Sequence, residues 1–208
     1  MRIESVASQP DRAGRYTVRF DTGQVLRLYR QTMQDFAPYP GKELTEDEWQ
    51  KLKTAAGEMS AKMRAVRIVS ASSVSGKDLE QRLIHKGEDP VQAQQAVRWM
   101  EDLDLLDDRR TARQVVERCI SRGFGLARAK QALYEKRIPK EYWPEALEDY
   151  PDQMEKIVDF LRSRLNSSRE NTQVRKAVDA LLRRGHSYAE IRQALQMLSM
   201  ELDFAEDE

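Results

Sequence analysis

The sequence predicts a mainly α protein made of tandem three-helix repeats, an elongated curved array of three units behind a small N-terminal β hairpin or sheet. Three observations carry this. From Thr45 onward apolar residues recur at helical spacing, capping residues mark the helix starts, and one residue pattern returns at near-constant intervals. Period-two alternation is confined to residues 2–30.

Ile3 and Val6 suggest a first strand, and Tyr16, Val18 and Phe20 alternate with Thr17 and Arg19 as a second. Asp21-Thr22-Gly23-Gln24 has turn chemistry, and Val25 to Tyr29 returns as a third stretch of the same period. An isolated hairpin is marginal in water, so this sheet is expected to lean on helices. Pro38, Pro40 and Gly41 then interrupt the chain, and residues 1–44 are assigned to the β-containing extension.

Beyond it the helix starts are written plainly. Thr45 with Glu48, Asp152 with Glu155, Ser167 with Glu170 and Ser187 with Glu190 have capping-box spacing, in which the first side chain accepts from a free backbone N–H and the acid reaches back. Asp89 before Pro90 is an N-cap followed by proline at the first helical position. The helices are expected at 45–72, 76–86 and 90–103, at 108–122, 126–136 and 140–149, and at 152–165, 169–184 and 188–200.

Those nine segments group in threes. Leu83-Ile84-His85-Lys86-Gly87 aligns with Leu133-Tyr134-Glu135-Lys136-Arg137 and with Leu181-Leu182-Arg183-Arg184-Gly185. Ala93, Trp143 and Ile191 align as well, as do Leu79, Ala129 and Ala177. Pairing Ser75–Leu83 with Ser187–Leu195 competes, because all these helices share one apolar pattern; the first alignment uses every helix. It sets repeats at 45–104, 105–150 and 151–200, followed by an acidic tail at 201–208. Units of this size stack so that each touches mainly its neighbours.

Charge is distributed unevenly. The whole chain of 208 residues balances 35 basic against 35 acidic residues. Between Arg109 and Lys140, however, ten Lys/Arg (Arg109, Arg110, Arg113, Arg118, Arg122, Arg128, Lys130, Lys136, Arg137 and Lys140) face only Glu117 and Glu135. Ala112, Val115, Val116, Cys119 and Ile120 form an apolar stripe on the first of these helices, and Leu126, Ala129, Ala132 and Leu133 form one on the second. The basic residues lie outside both stripes. A solvated helix face usually mixes both signs, so this imbalance points to an anionic partner. Arg183 and Arg184 join the candidate surface, although complementing the dipole of their own helix is the stronger single explanation for them.

Here the residues resemble a family. Leu105-Leu106-Asp107-Asp108, Ala112, the basic positions through Arg122, Gly123-x-Gly125, Arg128, Leu133 and Arg137-Ile138 are similar to the bacterial regulatory RecX family. Arg184-Gly185-His186-Ser187 with Ile191 and Leu195 resembles that family's C-terminal signature, and Lys86-Gly87 its first-repeat turn. The resemblance spans residues 58–200, and the β-like N-terminus with Gly41-Lys42-Glu43-Leu44 resembles an extension of some members. One departure stands out: the family's second repeat usually has glycine before Ile138, where this chain has Arg137. A left-handed residue costs arginine roughly 1 kcal/mol more than glycine, so this turn is expected to be built differently.

The resemblance implies a regulator of the RecA recombinase. It would bind the RecA–DNA filament and mostly inhibit ATPase, strand-exchange and coprotease activities, within DNA repair, homologous recombination and the SOS response. A non-enzymatic DNA- or RNA-binding helical module using the same basic face is the alternative, and a weak direct contact with DNA fits either. A monomer is expected.

Other chemistry lacks residues. The chain has no G-x-x-x-x-G-K-[ST], G-x-G-x-x-G or G-x-S-x-G motif, and its two histidines, His85 and His186, stand apart from any ligand set, so neither an enzyme nor a metal or cofactor site is expected. Asp107 and Asp108 could be read as paired carboxylates, but a cap pair before the Arg109 helix suits the dipole better. Cys119, alone on an apolar stripe, reads as a small buried hydrophobe, and Trp49, Trp99, Tyr142 and Trp143 as core. A single cysteine, no secretory signal and no run of 18 apolar residues point to the cytoplasm, away from a membrane.

Overall fold

The computed structural model describes residues 1–165 and 171–206, with side chains through Ser199. The Ser167–Glu170 cap and the side chains of the acidic tail lie outside the described residues. The chain divides into two compact units, Met1–Asp107 and Asp108–Glu208.

In the first unit β1 (Ile3–Val6), β2 (Arg15–Phe20) and β3 (Val25–Tyr29) form an antiparallel sheet in that order. Tyr16 faces Leu28 and Val18 faces Leu26 across β2 and β3, and the β1–β2 register shifts between Ile3 and Ser5. Alternation puts Ile3, Val18, Phe20 and Leu28 in the interior. They share a core with Trp49, Leu52 and Ala56 of α2 (Glu46–Ala71), where Phe20 meets Trp49 edge-on with ring centroids 4.9 Å apart. The short α1 (Arg30–Phe36) follows β3. The Pro38–Gly41 break is laced back onto β1, with Gly41 N donating to Ile3 O at 2.8 Å and Leu44 N to Met1 O at 2.8 Å. The sheet therefore leans on a helix as expected, and extension and first repeat lie in one compact unit.

α2 is the spine of this unit. Its first half covers the sheet, while Ala61 and Ala65 in its second half meet α3 (Gly76–His85) and α4 (Pro90–Asp102) in a core with Leu79, Leu83, Ala93, Ala96 and Met100. Alanines on both facing helices permit close approach. The caps form as their chemistry dictates: Thr45 accepts from Glu48 N while Glu48 reaches back to Thr45 N at 2.8 Å, and Asp89 accepts from Val91 N and Gln92 N.

The second unit holds α5 (Asp108–Ser121), α6 (Leu126–Glu135), a 3-10 turn (Lys140–Tyr142), α7 (Trp143–Leu147), α8 (Met154–Leu165), α9 (Asn171–Arg183) and α10 (Tyr188–Glu206). Ser187 and Glu190 make a second complete capping box. Two helices of this unit differ from expectation: α10 runs on to Glu206, through most of the stretch assigned to the acidic tail, and the helix expected over 140–149 is interrupted. Residues 140–149 form a tight turn and a single short helix, because Pro144 lacks the N–H that would continue the turn begun at Lys140.

The helix ends give the repeat its physical basis. After α3, Gly87 N donates to Ile84 O and Glu88 N to Leu83 O; after α6, Arg137 N donates to Tyr134 O and Ile138 N to Leu133 O; after α9, Gly185 N donates to Leu182 O and His186 N to Leu181 O. Each is a Schellman turn closed over a buried leucine. The middle turn corrects expectation: Arg137 takes the left-handed conformation itself, at φ 54°, where its counterparts are Gly87 and Gly185.

Candidate functional site: a basic helical hairpin

The hairpin of α5 and α6 is oriented by its apolar side. Ala112, Val116, Leu133 and Ile138 are buried together, with Val115, Ile120, Trp143 and Tyr150 packed against them. Burying this stripe turns Arg109, Arg110, Arg113, Arg118, Arg122, Lys130, Arg137 and Lys140 outward, all exposed, while Arg128 and Lys136 are half-buried. Arg183 is exposed at the end of α9.

Ion pairs divide this surface into partly compensated and open parts. Arg109 Nε lies 2.8 Å from Glu145 of α7, and Arg113 grips the other oxygen of the same carboxylate. These two arginines hold the Glu145 carboxyl below the usual range, Arg113 contributing most. Arg128 pairs with Glu135 at 2.9 Å. Among the described residues no carboxylate pairs with Arg118, Arg122 or Lys130, so open charge sits at the far end of α5 and midway along α6, and one further positive charge is left where Arg109 and Arg113 share the single Glu145 carboxylate. Glu145 lay outside the charge window in which sequence counted only two acids. Its proximity arises from the 3-10 turn, which folds α7 back against α5.

The remaining chemistry-bearing side chains are structural. Cys119 is buried on the stripe, and desolvation pushes its thiol up, away from the reactive thiolate. The Tyr150 hydroxyl, pushed up to about 12 by burial, donates to Phe124 O at 2.6 Å. Trp143 Nε1 donates to Ile138 O at 3.1 Å, and Trp49 is buried, in keeping with core roles. His186, only 4% exposed, donates from Nε2 to Gly123 O at 3.0 Å. Among the described residues no group of three His, Cys, Asp or Glu is placed to hold a metal, and no helix is long and apolar enough to cross a membrane.

The turn before α6 locks the hairpin to the third repeat. Gly125 N donates to Arg184 O at 2.9 Å, and Lys156 Nζ reaches Ile120 O at 2.6 Å. A Cβ on Gly125 would overlap the Gly185 carbonyl, and one on Gly185 would overlap the Arg128 backbone. Glycine spacing marked both positions in the sequence, but the close backbone approach that requires it did not show there. The Arg184 guanidinium lies over the Phe160 ring, 4.3 Å from its centroid. Sequence reasoning missed Phe160 and its other companion, Arg164.

Comparison with known proteins converges on one name. No family model matches the chain. It is 25% identical over 146 residues to the regulatory protein RecX of Vibrio parahaemolyticus, covering 69% of this chain and 94% of that protein. It is 22% identical over 213 residues to the regulatory protein RecX of Listeria welshimeri, covering 100% of this chain and 79% of that one. A crystal structure of regulatory protein RecX superposes with a TM-score of 0.63 at 20% identity, over 95% of this chain and 98% of the other. RecX from Lactobacillus salivarius superposes with a TM-score of 0.59 at 24% identity, over 70% and 99%.

Proposed function

We propose that this relative of the regulatory RecX proteins, which shares their fold, regulates the RecA recombinase by binding the RecA–DNA filament. The mode is chiefly inhibitory, acting on ATPase, strand exchange and coprotease activity in the cytoplasm, in the service of DNA repair and the SOS response. The chain works as a non-enzymatic monomer that needs no cofactor.

The observation that supports this reading is the basic outer face of the α5–α6 hairpin, held in place by a buried stripe on its other side. A nucleoprotein filament is a dense anionic array, and complementary charge both steers encounter and fixes register. Arg118, Arg122 and Lys130 are the leading contacts, since nothing in the described chain competes for them. Arg110, Lys136 and Arg137 flank them. Arg109 and Arg113 share one carboxylate and keep a net positive charge, while Arg128 engages where a stronger anion displaces Glu135. Arginine forks suit carboxylates and phosphates alike, so the same face can meet the filament's protein and its DNA.

Binding to RecA-coated and naked single-stranded DNA tests this. The expected result is tight binding to the coated strand and weak binding to the naked one, with Arg118→Glu plus Arg122→Glu abolishing the former. Equal affinity for both, with a log–log salt slope near −0.7 per phosphate contact, would instead identify a nucleic-acid-binding helical module.

A further inference from the structure

The third repeat carries positive charge of a different kind. Phe160 on α8 is flanked by two guanidiniums, Arg164 at 5.5 Å and Arg184 at 4.3 Å from the ring centroid. Among the described residues no carboxylate pairs with either arginine, whereas Arg109, Arg113 and Arg128 are each ion-paired. A ring attracts a cation through its quadrupole but carries no net charge, so it positions a guanidinium without neutralising it. An arginine lying on an aromatic face still presents its N–H fork at the edge, where a phosphate can be gripped by two hydrogen bonds.

The site is also anchored. Arg164 stands one helical turn beyond Phe160 on α8, and Phe160 packs against the repeat's core of Ile157, Leu161, Leu181 and Ile191. Arg184 caps α9, its N–H bonded to Ala180 O and Leu181 O and its carbonyl to Gly125 N. The backbone beneath both arginines is thus fixed, and the ring contacts bias their forks before any ligand arrives, which lowers the ordering cost of binding.

We propose that Arg164 and Arg184, held on the Phe160 ring, form a second anion-binding site that grips the sugar–phosphate backbone of a single nucleic-acid strand. A strand presents closely and regularly spaced phosphates, so one ligand can occupy two neighbouring forks at once; carboxylates on a protein surface lack that regularity. Its arginines lie outside α5 and α6, although Arg184 adjoins the turn before α6, and the proposal does not depend on the RecA reading. Phe160 acts as a positioning residue.

The test is fluorescence anisotropy of labelled single-stranded oligothymidylate with the full chain across a salt series. Arg164→Gln with Arg184→Gln is expected to weaken binding roughly tenfold or more at low salt and to flatten the log–log slope by about 0.7 for each lost contact. Phe160→Leu, which keeps both charges and most of the packing, is expected to weaken binding while leaving the slope nearly unchanged. Circular dichroism confirms that each variant is folded, and Arg164→Gln alone, on an exposed helix face, serves where the double variant is not. Wild-type affinity and slope in the folded arginine variants would overturn the proposal. So would a wild-type chain that does not bind the oligonucleotide, or variants that lose binding only to an acidic protein. Loss in Arg118→Glu with Arg122→Glu but not here would leave the central face standing and this site refuted.

Discussion

Arg137 occupies the left-handed position that Gly87 and Gly185 fill in the other two repeats. Two turn hydrogen bonds and the buried Leu133 beneath them set that conformation, and the arginine bears the strain. Arg137→Gly should therefore stabilise the protein by about 0.5–1 kcal/mol, read as a higher urea midpoint at unchanged slope. A lower midpoint would mean that the arginine side chain contributes more than its backbone costs. The departure from glycine was plain in the sequence; that the turn would keep its shape was not, because the hydrogen bonds that enforce it are indifferent to the side chain. Tyr150 offers a pH test at the same scale. Its hydroxyl is raised to about 12 in the fold against roughly 10 in an unfolded chain. The neutral form is the one the fold favours, so its contribution is full below pH 10 and fades between pH 10 and 12. Tyr150→Phe, which loses the bond to Phe124 O, should cost about 1 kcal/mol at pH 7. That gap should close across the alkaline window; a gap constant to pH 12 would place the titration elsewhere.

Helices were legible because their signals are local. Thr45, Asp89 and Ser187 each cap the helix that starts beside them, and the periodic stripes put Leu79, Leu83, Ala129, Leu133, Ala177 and Leu181 inside, where the structure has them. Residues 140–149 depart from the repeat's helix pattern because Pro144 is a local signal that overrides it. What stayed hidden were contacts between elements, such as the Gly125–Gly185 approach, which needs the third dimension. Two variants probe this scale. Leu133→Ala should cost about 2–5 kcal/mol, since Leu133 is fully buried; a urea-unfolding loss below about 0.5 kcal/mol would contradict the packing of the hairpin. Gly125→Ala should cost about 2 kcal/mol or more by forcing α6 away from the Gly185 carbonyl, and the thermal midpoint should fall accordingly.

At the scale of the molecule, net charge conceals the arrangement that matters. The basic run from Arg109 to Lys140 was visible as a run, but its partition was not, because Glu145 and Phe160 reach their arginines from other helices. Glu145→Gln should free Arg109 and Arg113 and tighten binding to an anionic filament, with the gain shrinking as salt rises. The central claim, that this chain restrains RecA through the open part of its basic face, meets its most direct test in RecA's DNA-dependent ATPase at substoichiometric ratios of the chain. The wild-type protein should depress the rate, and the folded Arg118→Glu, Arg122→Glu variant should leave it untouched. A wild-type chain without effect on the rate, or a folded variant that inhibits as well as wild type, would contradict it.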